Sequence, residues 1–219
     1  MTVVKSTGFA RGDRQVAGKK LASHLKYIQY RSRGEDEARE DRYLFSEEGD
    51  RVSRREALDD VMQHTSTSVN YHRIVLSPDK NTEPITDWRE WTRTIMRDFE
   101  DKKGLKLHWY AAKHANTDDP HIHIVIAGSG EDLWTGRKKA VKLYTGDRSP
   151  NGHDDFAVLS QLGREHSGYE IARRDQEIAR QEVHREPQEE NQVQNAAKII
   201  KDVNERDLAR TRKEKGIDR

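Results

Sequence analysis

Apolar residues recur at helical spacing in some stretches of this chain and alternate in others. Between residues 17 and 32, Leu21, Leu25 and Ile28 fall at i, i+4 and i+7, predicting a helix with one buried stripe. Lys20, Ser23, Tyr27 and Tyr30 share a different face. The two tyrosines are therefore expected near each other, outside the stripe and beside basic residues. A second helix is predicted over Thr86–Lys102, with Thr86 and Asp87 at its start and Gly104 at its end. Trp88, Trp91, Ile95 and Phe99 form its apolar face. Shorter helices are expected near Arg54–Gln63 and near Phe156–Glu165, the latter with Phe156, Val158, Leu159 and Leu162 on its apolar side. The rest of 35–68 reads as a polar loop. Three strands stand out: Val69–Leu76, stopped by Ser77-Pro78; Leu107–Lys113; and a run that opens at His121.

The third strand carries the chemistry. Successive side chains of a strand point to opposite faces, so His121 and His123 share one face while Ile122, Ile124 and Ile126 form the other. His114 ends the preceding strand, and the polar turn Asn116–Pro120 can fold it back beside the pair. Three neutral imidazoles converging on one point make a metal site with open coordination positions, an arrangement suited to catalysis. The plainer alternative is a set of unrelated surface or core histidines.

Composition bounds the rest. The chain has 219 residues, of which 36% are charged and 32% hydrophobic, more polar than a compact globule of this length. One domain with an extension outside its core is expected: residues 1–170 as the domain and 171–219 as a charged helical or mobile tail. That tail is dominated by Arg, Glu, Gln, Lys, Asp and Asn, with one proline and no aromatic residue. Cysteine is absent, which excludes disulfides and thiolate zinc sites. No apolar run reaches membrane-spanning length and no signal-peptide core is visible, so a cytoplasmic protein without membrane insertion is expected. Net charge is only +1, but its distribution is uneven. Residues 1–34 set Lys5, Arg11, Arg14, Lys19, Lys20, Lys26, Arg31 and Arg33 against Asp13 alone, and Arg137-Lys138-Lys139 forms a second basic cluster. Two basic patches flanking a metal site suit a phosphate-rich ligand.

The order of motifs resembles the relaxase domain of plasmid mobilisation and conjugation proteins. These are histidine-motif (HUH) single-strand endonucleases, in the class with the plasmid transfer relaxases and the Agrobacterium T-DNA border endonuclease. Leu25-Lys26-Tyr27-Ile28 resembles the motif with the nucleophilic tyrosine, and Tyr71 to Ser77 the motif whose serine holds the DNA 3′ side. His114 to His123 resembles the metal-binding motif. The resemblance implies an α/β fold: a central antiparallel sheet of about five strands, helices on its faces and a charged C-terminal helical extension. It also implies nicking of single-stranded DNA at a transfer origin. Tyr27 would attack to leave a 5′-phosphotyrosine, with Mg²⁺ or Mn²⁺ held by His114, His121 and His123. Nitrogen ligands favour Mn²⁺, Ni²⁺, Co²⁺ or Zn²⁺ over Mg²⁺ in vitro.

The usual Asp two residues after the first histidine is Asn116 here, which moves any acid role to Asp118 or Asp119. His72 or Asp118 is expected to accept the Tyr27 proton. Ser77, Tyr30, Arg73, Lys20, Lys26, Arg137 and Lys138 are the expected DNA contacts. Relaxosome accessory and coupling proteins are the expected partners, and the protein could travel with the DNA to a recipient cell. A rolling-circle replication initiator is the nearest rival, but such proteins place their tyrosine after the histidine motif. A catalytically inactive DNA-binding relative is a further alternative, supported by Asn116.

Overall fold

In the computed structural model the described residues are 2–30, 43–78, 85–114, 119–146, 149 and 152–167. The chain partitions into two units, Met1–Glu170 and Ile171–Arg219, and every described residue belongs to the first. Expectations for the tail, and for Asn116 and Asp118, therefore lie outside the described residues.

The elements run β1 (Val3–Ala10), α1 (Arg14–Tyr30), α2 (Arg54–Gln63), β2 (Tyr71–Ser77), α3 (Trp88–Lys103), β3 (Leu105–Lys106), β4 (Trp109–His114), β5 (His121–Ala127), β6 (Ser129–Asp132) and β7 (Lys138–Ala140). A fourth helix, α4, covers 155–167. Local chemistry sets the helix ends. Asp13 Oδ1 accepts from Val16 N at the start of α1. Ser53 accepts from Glu56 N at the start of α2, and Asp87 from Arg89 N and Glu90 N at the start of α3. Gly104, at φ 63°, closes α3 in the left-handed conformation that glycine tolerates best.

The main sheet is antiparallel throughout, in the order β1-β2-β5-β4. Among the described residues it has four strands, in keeping with the central antiparallel sheet of about five that was expected. At the outer edge of β4, among the described residues, Phe45 alone pairs with Ala111, through two backbone hydrogen bonds of 2.8 and 3.0 Å. A second sheet, β3-β6-β7, is built from strands of two to four residues.

Strand alternation splits the core into two layers. Ile74, Leu76, Ile122, Ile124 and Ile126 pack with Trp91, Ile95, Met96 and Phe99 of α3 and with Leu159 and Leu162 of α4. Tyr71, Tyr110, Ala112 and Val125 face the other way, against Leu21, Leu25 and Ile28 of α1 and Val61 of α2. Each large apolar side chain so buried contributes roughly 1.5–3 kcal/mol. Those burials fix β5 in the centre of the sheet and α1 across one face of it. No helix among the described residues is long and apolar enough to cross a membrane.

Candidate metal centre and tyrosine site

The β4–β5 register builds the triad. His114 lies directly opposite His121, and Ala112 opposite His123, so the three imidazoles meet on the α1 side of the sheet. Their candidate ligand atoms all lie within 4.8 Å of one another, and the Nε2 atoms of His121 and His123 are 3.2 Å apart. Two backbone carbonyls orient the rings. Ile28 O accepts from His114 Nε2 at 2.7 Å, and Asp119 O accepts from His121 Nδ1 at 2.8 Å. Each bond fixes a tautomer and leaves the other nitrogen, His114 Nδ1 and His121 Nε2, with its lone pair. Interplanar angles of 60° to 67° let the three ring planes meet at a point, as in-plane coordination of one ion requires. The donor set fits a divalent transition metal.

Tyr27 stands over this triad from α1. Its ring is 6.3 Å from both His114 and His123, centroid to centroid, and it is 41% exposed. Tyr30 is 54% exposed and lies under the Arg54 guanidinium at 5.0 Å instead. The two tyrosines, three residues apart on α1, thus meet different partners.

His24 belongs to the site, although sequence reasoning passed it over. Three residues before Tyr27 on one helix face, it stacks on that ring at 6.2 Å and meets His123 edge-on at 6.2 Å. Burial, then the Arg73 charge, then His114 pull its pKa down to about 4, so it is neutral at neutral pH. The spacing His24-x-x-Tyr27 was the available signal. His24 also lines a cleft of about 630 Å³ with Arg11, Lys19, Lys20 and Arg73. Within it, His24 Nε2 and Arg73 Nε are buried without a hydrogen-bond partner among the described residues. Arg73 reaches the cleft by crossing β1, where its Nη2 donates to Thr7 O at 3.0 Å. It passes over Gly8, whose φ of 121° and lack of a Cβ are both needed there: a Cβ would lie 2.8 Å from Nη2.

Not every expected residue arrives. Ser77, on the triad face of β2, donates to Pro120 O at 3.4 Å in the segment leading into β5. Lys20 lines the cleft, whereas Lys26 is exposed and outside it. Arg137 and Lys138 precede and open β7, where Lys138 Nζ lies 3.5 Å from Gln63 O; neither lines the cleft. His72 is the main correction. It sits on the α3 side of the sheet, donating Nε2–H to Val141 O at 3.0 Å, and cannot accept a proton from Tyr27 on the opposite face.

A second cluster, Asp60, His64 and His108, also gathers metal-ligating atoms. Its two imidazoles stack at 3.5 Å with planes only 9° apart. An ion bound to both lone pairs must lie in both planes, and parallel planes 3.5 Å apart share no point. The cluster is therefore a hydrogen-bonded brace. Asp60 takes Tyr110 OH at 2.9 Å and lies 3.1 and 3.2 Å from the Nδ1 atoms of His64 and His108, tying α2 to β4. Asp60→Ala is expected to lower unfolding free energy by about 2–4 kcal/mol, because Tyr110 OH and His108 Nδ1 lose their acceptor, whereas His64 Nδ1 keeps the backbone carbonyl of residue 60 at 2.9 Å. Urea denaturation measures it; a loss under about 0.5 kcal/mol would mean that solvent already satisfies these groups.

Burial also lowers the pKa of His72 and His108, as it does that of His24. A histidine depressed in the folded state favours the unfolded chain once pH falls below its ordinary value of 6.5. Stability of the metal-free protein is therefore full above about pH 6.5 and falls as pH drops below it, with the contribution of His24 fading toward about pH 4. Urea midpoints in chelator at about pH 7.5 and about pH 5 test this; an unchanged or higher midpoint in acid would contradict it.

Residues 27–138, just over half of the chain, match the family model described as Relaxase: MobA/VirD2-like, nuclease domain. The match begins at the tyrosine over the triad and includes Ser77 and all three histidines, while β1 and His24 precede it. No curated protein and no solved structure matches the chain. With the mixed α/β fold and the tyrosine–histidine geometry, the match places this chain in the MobA/VirD2-like relaxase nuclease family.

Proposed function

We propose that the protein is a DNA relaxase that nicks one strand at a transfer origin by transesterification and later rejoins it. The observation that carries this reading is the half-exposed Tyr27 ring, 6.3 Å from both His114 and His123. A divalent ion, Mn²⁺ or Mg²⁺ in use, would be held by His114, His121 and His123 and would withdraw negative charge from the scissile phosphate. Tyr27 Oη attacks phosphorus, the bond to the 3′ oxygen breaks, and a free 3′-OH and a 5′-phosphotyrosine result. The bond energy stays in the phosphotyrosine, so attack by a 3′-OH reverses the step. His24 packs on the Tyr27 ring and holds it over the triad. With His72 on the far face, Asp118 is the proton acceptor in this proposal.

Single-stranded DNA is the substrate. Arg73 and Lys20 would take its phosphates in the cleft, where two buried nitrogens lack partners. Ser77 would steady the 3′ side. Residues 1–170 form the nicking domain, and 171–219 connect it to accessory and coupling proteins in the donor cytoplasm. The test is incubation with single strands spanning a transfer origin in Mn²⁺. A protein–DNA band that survives denaturation is expected. Binding without any covalent band would instead support an inactive DNA-binding relative, and cleavage confined to a replication-origin hairpin would support an initiator.

A further inference from the structure

The cleft does not end at β1. Phe9 and Arg11 line it and also line a second cavity, of about 490 Å³, on the opposite face of the sheet. Phe9 is 50% exposed, pairs in register with His72, and carries the Arg11 guanidinium 4.4 Å above its ring. The second cavity is walled by Tyr144, Phe156 and His72, with Lys142 beside them. His72 is oriented within it: its Nε2–H is given to Val141 O, which leaves Nδ1 as a hydrogen-bond acceptor. Aromatic walls, one fixed acceptor and two cations are the chemistry of a nucleotide site: rings for the base face, cations for phosphate. None of these groups serves the nicking reaction.

We propose that this cavity takes one nucleotide of the bound DNA strand, which passes from the cleft around the end of β1. The base enters between Phe9 and Tyr144, and its phosphates lie against Arg11 and Lys142. The inference rests on the single-strand reading of the cleft and adds a base-binding position on the far side of the sheet from Tyr27. Continuity through Phe9 and Arg11 argues for a nucleotide of the same strand over a free one.

The test uses the full chain and fluorescein-labelled single strands: (dA)20 and a strand of equal length with abasic sugars throughout. Base stacking on an aromatic ring is lost when the ring is removed, so Tyr144→Ala is expected to weaken (dA)20 binding roughly tenfold while leaving the abasic strand unaffected. Thr145→Trp, at an exposed rim position, fills the cavity without removing a core ring and is expected to do the same. Circular dichroism and adduct formation report whether each variant is folded. Unchanged (dA)20 binding in both variants, or equal losses on both strands, would overturn the proposal. Competition by free dAMP at micromolar concentration would also overturn it, assigning the cavity to a free nucleotide. If the wild-type protein binds neither strand, the single-strand reading itself fails. Normal wild-type binding with indifferent variants removes the cavity alone.

Discussion

Tyr27→Phe is expected to abolish the covalent protein–DNA band, lowering its formation by on the order of a thousandfold or more, while DNA binding and stability change little. The substitution removes one oxygen from a partly exposed ring and keeps the ring that faces His24, His114 and His123. Tyr30→Phe is expected to have little effect, since Tyr30 packs under Arg54 and not against the triad. The assay is denaturing electrophoresis of labelled oligonucleotide after incubation with Mn²⁺. If Tyr27→Phe keeps its adduct and Tyr30→Phe loses it, the nucleophile is misassigned.

The second large effect is at the metal. His123→Ala leaves two imidazoles, so cleavage is expected to slow by on the order of a hundredfold and half-saturation to need at least about tenfold more Mn²⁺. EDTA is expected to stop the wild-type reaction. His108→Ala provides the contrast. It disrupts the other cluster, whose parallel rings cannot share an ion, and should leave the Mn²⁺ dependence unchanged even if stability falls. Full activity in chelator would rule out metal assistance. A shift in Mn²⁺ dependence for His108→Ala, and none for His123→Ala, would exchange the roles of the two clusters.

Much of this was legible in the chain itself, for identifiable reasons. The helix α3 announces itself by a capping residue that the structure uses, Asp87, and by a long apolar face. The strand β5 does so because Ile122, Ile124 and Ile126 alternate with the histidines. The strand β1 escaped notice: it is an edge strand, mostly exposed, interrupted by Gly8 and a register shift, so little alternation remains. Strands of two to four residues, such as β3, β6 and β7, are too short to show a period. The misplacement of His72 has a different origin. Ser77 and Arg73 have the same parity along β2, and His72 has the opposite one, so His72 cannot join them on the triad face of the sheet. That conflict was present in the sequence. His24 is marked in the sequence only by its spacing from Tyr27, and its approach to His123 follows once α1 is laid across the sheet.

The passage of Arg73 over Gly8 has a consequence for how such a chain can vary. The arginine holds its course only where the first strand presents no side chain, and the backbone there is already in a conformation that favours glycine. The two positions, far apart in sequence, therefore behave as a single heritable character. Shortening the arginine removes the collision, while the backbone at φ 121° still favours glycine. A chimera that combines this β2 with a foreign first strand bearing alanine at that point inherits a collision, not a phosphate contact.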